Sequence, residues 1–382
     1  QFWLKPLRLP GRSSAATPRR APPGPSEASA GMDRRTVCIL ALLGAAPLAA
    51  ASAGCGGTSC GAVALEEEED AGASTYLLQR RGGEALQKQQ PALAAIDAGS
   101  QRQRLERARP VAWLHVPKCG SSLENFMIHL PGLCPFVPDE LVISSETLGD
   151  HHNLAFKRLF DPLGEAGAGA CPGSFATWGN HHGAGELWDS VYKGHAFVML
   201  RTPEQRILSG YHYGLHSWPG DSPPRDELEY AQGVQGCAVR MMTRGGAKPY
   251  ETCGGKFTGP PTEAEVQLAI QRIRTDCAFV GITEQWPFAM CLGHRMFGGP
   301  CRLSDFVDGR VTDRTDDKTD TAKITMSTEL YDETPLHGFK DPYDGPLYQA
   351  ALEVFQQRLL LYNVSTASCQ SCFEEAGVAV DL

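Results

Sequence analysis

The chain has no surplus of positive charge, no long apolar run, no internal repeat and no cluster of His, Cys, Asp and Glu at metal-ligand spacing. Each absence narrows the field. Lys and Arg total 35 against 44 Asp and Glu, and a net charge of −9 argues against nucleic acid as the main partner. That charge also offers no global field to a polyanionic polysaccharide, although a local basic groove is compatible with any sum. The clearest apolar run, from Val37 to about Ala50, is short and rich in Gly, Ala and Pro, which makes it a poor membrane span. No metal is expected.

What is present begins with a leader over 1–53. Residues 1–31 are rich in Pro, Arg, Ser and Ala and start with Gln. The expectation is untranslated-region read-through with Met32 as the start; the alternative is a genuine longer leader. From Met32, Arg34 and Arg35 precede the apolar run, and a small-residue site, Ala51-Ser-Ala53, precedes Gly54. That is a secretory signal peptide, with an uncleaved signal-anchor as its competitor. The 13 cysteines fit an oxidising compartment. Cys134, Cys171, Cys237, Cys253, Cys277, Cys291 and Cys301 are expected to include disulfides of unreadable connectivity. Cys369-Gln-Ser-Cys372 fits a local disulfide or pairing elsewhere better than redox catalysis. Asn363-Val-Ser365 is a glycosylation sequon.

Residues 54–109, with the acidic run Glu66–Asp70 and a polar stretch after it, resemble a low-complexity stem. A folded domain is expected over 110–363, with a Gly- and Pro-rich insertion at about 217–261 and a C-terminal tail over 364–382. Within the domain, strands are expected at 111–116, 197–200 and 278–282. Helices are expected at 121–129, 203–214, 262–274, from a Thr283 cap to about Phe297, and at 346–362 with Leu352, Phe355, Leu359 and Leu360 on the apolar stripe. Such alternation makes an α/β fold, a mostly parallel sheet flanked by helices with ligands at the strands' C-terminal ends.

Two strand-to-helix steps carry the chemistry. In Val111-Ala-Trp-Leu-His-Val-Pro-Lys-Cys-Gly-Ser-Ser-Leu-Glu-Asn-Phe126 an apolar run passes through a short loop into a helical pattern. Gly120 lets N–H groups approach an anion, Ser121 and Ser122 add hydroxyls, and Lys118 adds a cation. The Gly-Lys-Ser/Thr ending of a Walker A loop is absent. In Phe197-Val-Met-Leu-Arg-Thr-Pro-Glu-Gln-Arg-Ile-Leu-Ser-Gly-Tyr-His-Tyr213, Thr202 suits an N-cap and Pro203 the first helical position. Arg201 closes the strand, and Ser209 lies two turns into the helix.

These two segments resemble the 5′-phosphosulfate loop and the 3′-phosphate motif of carbohydrate sulfotransferases of the Golgi type that act on heparan- or chondroitin-like chains. Phe279-Val-Gly-Ile-Thr-Glu-Gln-Trp286 resembles that family's Val-Gly-x-Thr-Glu step, and the segment from Asp344 through Leu347-Tyr348 its closing Asp-x-x-Leu-Tyr helix. The likeness spans about 111–362. It implies a P-loop-like, sulfotransferase-type fold and transfer of the sulfuryl group of 3′-phosphoadenosine 5′-phosphosulfate (PAPS) to a glycan hydroxyl in the secretory pathway. The place is then the Golgi lumen or outside the cell, and the membrane is engaged only through an uncleaved leader. PAPS would be held by Lys118, Cys119, Gly120, Ser121, Ser122, Arg201 and Ser209. Cys119 stands where the family usually has threonine; a thiol beside Lys118 and a helix start invites a lowered pKa, but no local base makes it a nucleophile, and it reads as a small substitute for threonine that lacks only the hydroxyl contact.

Sulfuryl transfer needs a cation at the leaving oxygen, for which Lys118 is the candidate, and a base for the acceptor proton. Ala176-Thr-Trp-Gly-Asn-His-His-Gly183 offers His181 and His182, whose unperturbed chemistry suits that task. On a strand the two would face opposite ways; His182 is favoured because Gly183 leaves room beside it. His115 reads as structural, and His151 and His152 lack the glycine context. The alternatives are a catalytically inactive secreted protein that binds a nucleotide or glycan, and a P-loop-like phosphoryl transferase.

Overall fold

A computed structural model describes residues 95–143, 171, 173–178, 181–246, 252–254, 259–308 and 330–379. The leader, most of the stem, and His151 and His152 lie outside them. Four short strands form one sheet: β1 (Val111–Leu114), β2 (Phe175–Trp178), β3 (Ala196–Leu200) and β4 (Cys277–Ile282). The order is β2-β1-β3-β4 and every pairing is parallel. Every residue of β1, β3 and β4 is buried, as expected of parallel strands covered on both faces by helices. β2 has no expected counterpart: Phe-Ala-Thr-Trp is too short and mixed to announce itself.

The helices follow from local chemistry. After β1 comes α2 (Leu123–Ile128), shorter than the expected 121–129. After β3 comes α3 (Pro203–His212), with Pro203 in its first turn. Thr202 occupies the cap position but makes no side-chain capping bond; its N–H donates instead to Glu284 Oε1 at 2.7 Å. Helix α6 (Glu263–Thr275) opens with a complete capping box between Thr262 and Glu265 and buries Val266, Ala269 and Ile273. Helix α7 (Trp286–Phe297) starts two residues later than expected, after a 3₁₀ turn over Thr283–Gln285, and the Thr283 hydroxyl donates to the Leu200 carbonyl at 3.1 Å rather than capping. Helix α8 (Asp344–Leu361) buries Leu347, Val354 and Phe355, whereas Leu360 points to solvent at 80% exposure.

Three segments expected at the margins are built into the structure. The end of the stem forms α1 (Gln101–Ala108), which buries Leu105 and Ala108. Beside it, Asp97 pairs with the buried Arg358 at 3.4 Å and accepts from the Tyr362 hydroxyl at 2.9 Å. The stretch 217–261 carries α4 (Glu227–Val234) and α5 (Cys237–Thr243), whose Tyr230, Val234, Val239, Met241 and Met242 are core residues. The tail carries α9 (Thr366–Ala376), held by Cys291–Cys369 and Cys301–Cys372. Two further disulfides join Cys134 to Cys171 and Cys237 to Cys253, while Cys277 stays a buried thiol. Four disulfides fit a secreted or lumenal protein. Among the described residues no helix is long and apolar enough to cross a membrane. Asn363 sits exposed in the turn between α8 and α9.

Candidate active site

In an open parallel sheet, ligands bind where the strand order reverses, beyond the strands' C-terminal ends. With the order β2-β1-β3-β4 that point lies between β1 and β3. These are the two strands that lead into the two strand-to-helix segments 111–126 and 197–213. The loop 117–122 leaves β1 there, and Arg201 follows β3 directly.

The loop is shaped by left-handed backbone. Lys118 has φ +64° and Gly120 φ +79°, and the N–H groups of Gly120 and Ser121 find no acceptor among the described residues. Two such groups in a tight turn form an anion-sized concavity. The six-residue α2 adds little dipole, and Ser122, buried at its start, makes no side-chain cap. A side chain at Gly120 would lie 2.5 Å from the ring of Trp286, itself fixed by donating to the Asp305 carbonyl at 2.7 Å. Non-glycine left-handed φ recurs at His181, Leu215 and Ser217 around the same place, and such strain gathers at functional sites.

Cys119 departs from expectation. It is 2% exposed, its N–H donates to the Val116 carbonyl at 3.2 Å, and burial pushes its thiol up to about 12 despite the nearby cations of Arg206 and Arg201. Its side chain belongs to the core, so neither thiol nor N–H is offered to a ligand.

Residues from the segments 111–126, 197–213, 279–286 and 344–348 converge beside this loop. Glu284 accepts from the Thr202 N–H at 2.7 Å and from the Tyr348 hydroxyl at 3.5 Å. Arg206 pairs with Asp344 at 3.7 Å, both buried, and Asp344 also accepts from the Ala238 and Val239 N–H groups. Burial and the neighbouring Asp341 hold the Asp344 carboxyl above the ordinary carboxylate range. Arg201, half-buried, places its guanidinium 5.5 Å from the Tyr331 ring centre, and Ser209 is 4% exposed on α3.

Above the loop lies a run of aromatic rings. Lys118 Nζ sits 3.6 Å from the centre of the Tyr213 ring, a cation–π contact. The Tyr213 ring is 6.4 Å from that of His216, His216 is 5.4 Å from His181, and His181 is 4.1 Å from His115. His181 Nδ1 lies 2.7 Å from the His115 carbonyl. A carbonyl only accepts, so Nδ1 carries a proton, and whenever the ring is neutral its lone pair is on Nε2. His182 is half-buried one residue further on. The strand argument for choosing between them does not apply, because His181 is left-handed, and a side chain at Gly183 would meet the Arg244 carbonyl at 1.9 Å. The room at Gly183 is filled by backbone. The site therefore brings together Lys118, Gly120, Ser121, Arg201 and His181.

His115, Tyr213, His216 and Glu284 were missed as site residues. His115, Tyr213 and Glu284 lie within the motifs named above and His216 three residues beyond the second, but only the strand order puts them in contact. Among the described residues no His, Cys, Asp and Glu cluster suits a metal. No family model, no curated protein and no solved structure matches the chain.

Proposed function

We propose that the protein is a PAPS-dependent sulfotransferase of P-loop-like, sulfotransferase-type fold. In this reading it transfers the sulfuryl group to a glycan hydroxyl, in the Golgi lumen or after secretion. The observation that carries this is the placement of the Lys118 loop and of Arg201 with Ser209 after the adjacent strands β1 and β3, at the reversal of strand order. The residues fit the co-substrate: two open N–H groups and the Ser121 hydroxyl suit the 5′-phosphate, and Arg201 with Ser209 suits the 3′-phosphate.

PAPS supplies an electrophilic sulfur whose bond to a phosphate oxygen breaks as the acceptor oxygen attacks. Lys118 leaves the Tyr213 face to neutralise the departing oxygen. His181 Nε2 takes the acceptor proton, and its Nδ1–H, held on the His115 carbonyl, keeps the ring in that tautomer as it becomes charged.

Calorimetric titration of the chain with 3′-phosphoadenosine 5′-phosphate, with ADP as control, tests the reading. Binding that depends on the 3′-phosphate is expected; preference for ADP, or no binding by folded protein, sinks it. Lys118→Ala should abolish transfer, a loss of at least about 100-fold in kcat, with an unchanged circular dichroism spectrum. Arg201→Ala should chiefly weaken nucleotide binding. Full transfer by the Lys118 variant would refute the mechanism.

A further inference from the structure

We infer that His115 couples anion binding at Ser121 to the uptake of a proton. The inference rests on the reading of 117–122 as a phosphate cradle, and it gives a role to a histidine that sequence alone treats as structural.

His115 Nε2 lies 2.9 Å from Ser121 Oγ, and His115 is only 4% exposed. Its ring stacks on Trp113 and meets His181, with centres 4.1 Å away in both cases. A ring packed in this way is not free to turn from Ser121. The pair has two arrangements. Without a proton on Nε2, the serine hydroxyl donates into the ring and has no hydrogen left for a ligand. With a proton on Nε2, the ring donates to Oγ and the hydroxyl hydrogen is free to point into the cradle. A phosphate oxygen near neutrality is an acceptor, so a hydroxyl that holds it must donate. The bound state therefore selects Nε2–H.

Charge decides where that proton comes from. Among the described residues, the titratable groups near the ring include His181 from the segment after β2, His216 behind it, and Lys118 reached through Tyr213. With the cradle empty, the Lys118 cation disfavours a second positive charge nearby. A phosphate against Ser121 places negative charge one hydroxyl away and reverses that sign. The imidazolium, rather than a shift of tautomer, is then the favoured source of Nε2–H, and the proton comes from solvent. His115 acts through Ser121, so it is a positioning residue and not a catalytic one.

The test is calorimetric titration of the chain with 3′-phosphoadenosine 5′-phosphate near neutral pH, in buffers of different ionisation heat, which counts protons taken up. Wild type should take up a fraction of a proton that His115→Gln, a donor that does not titrate, does not. His115→Gln should bind within about threefold of wild type, and His115→Leu about tenfold or more weakly. Ionisation of the ligand's own phosphates is common to all three and cancels in the comparison. Equal proton uptake by wild type and His115→Gln overturns the coupling and leaves the nucleotide site standing. So does wild-type affinity in a folded His115→Leu. If the leucine variant fails to fold, the glutamine comparison alone decides. Failure of the folded wild type to bind overturns the nucleotide reading and the coupling with it.

Discussion

Gly120 shows how much of the site depends on a missing side chain. Its φ of +79° strains any L-residue, and an added methyl would lie 2.5 Å from Trp286, which is 1% exposed and has no room to yield. Gly120→Ala should therefore lose about 2–4 kcal/mol of stability, read as a lower denaturant midpoint at unchanged slope. Gly132→Ala is the control: its φ is +69° but nothing lies within 4 Å, so only the backbone cost of about 1–2 kcal/mol applies. Equal losses in the two variants would show that Trp286 does not clamp the loop. At the same scale, Cys119 illustrates how burial overrides local electrostatics. A cation and a helix start nearby would lower a thiol's pKa, yet removal from water wins.

At the scale of elements, two joints are testable. Arg244, at the end of α5, donates to Glu265 Oε2 at 2.7 Å, and Glu265 also completes the capping box of α6. The hydrogen bond from Arg244 is the main cause that holds the Glu265 carboxyl down at about 2. Because its folded pKa is depressed, the contribution is present above the unfolded value of about 4.5 and fades as pH falls from there toward 2. Glu265→Gln should cost on the order of 2 kcal/mol at neutral pH and flatten the acid limb of stability, measured by denaturant unfolding across that range. An unchanged acid limb would remove Glu265 as its source. The second joint is α9, whose Cys369 and Cys372 bind Cys291 and Cys301 across 78 and 71 residues. Replacing both tail cysteines by serine should cost about 2–4 kcal/mol per bridge and open the turn before α9 to protease. Resistance equal to wild type would mean that packing of Phe373 and Ala376 suffices to hold the helix.

Across the whole molecule, the described structure is an α/β unit whose loop, insertion and tail are all fastened to one parallel sheet. Two buried thiols lie inside it, Cys119 and Cys277, each pushed up from 9.0 to about 12, first by burial. A raised folded pKa gives a contribution fully present below the unfolded value and lost as pH rises toward the folded one. Burial raises Tyr230, Tyr348 and Tyr362 in the same direction. Stability should therefore decline from about pH 9 upward, and Cys119→Ala with Cys277→Ala should delay the onset toward the tyrosine range. A decline that starts at the same pH in that double variant would exclude the thiols. The native thiols should also resist alkylation at neutral pH, because the reactive thiolate is scarce.

What the sequence determined by itself was local. The strand-to-helix steps at 111–126 and 197–213, the capping box at Thr262, and the loop with Lys118, Gly120 and Ser121 follow from patterns a few residues long. Apolar period, caps and left-handed turns are encoded at that range. Tertiary structure decided everything that needed partners far apart in the chain. The carbonyl of His115 meets His181 66 positions later because β1 and β2 pair in parallel, and Glu284 meets Thr202 because β3 lies beside β4. The disulfide partners, the inward turn of Cys119, and the choice of His181 as the ring that faces the loop are of this kind. Each depends on how the crossovers stack the strands, and no window of neighbouring residues contains that order.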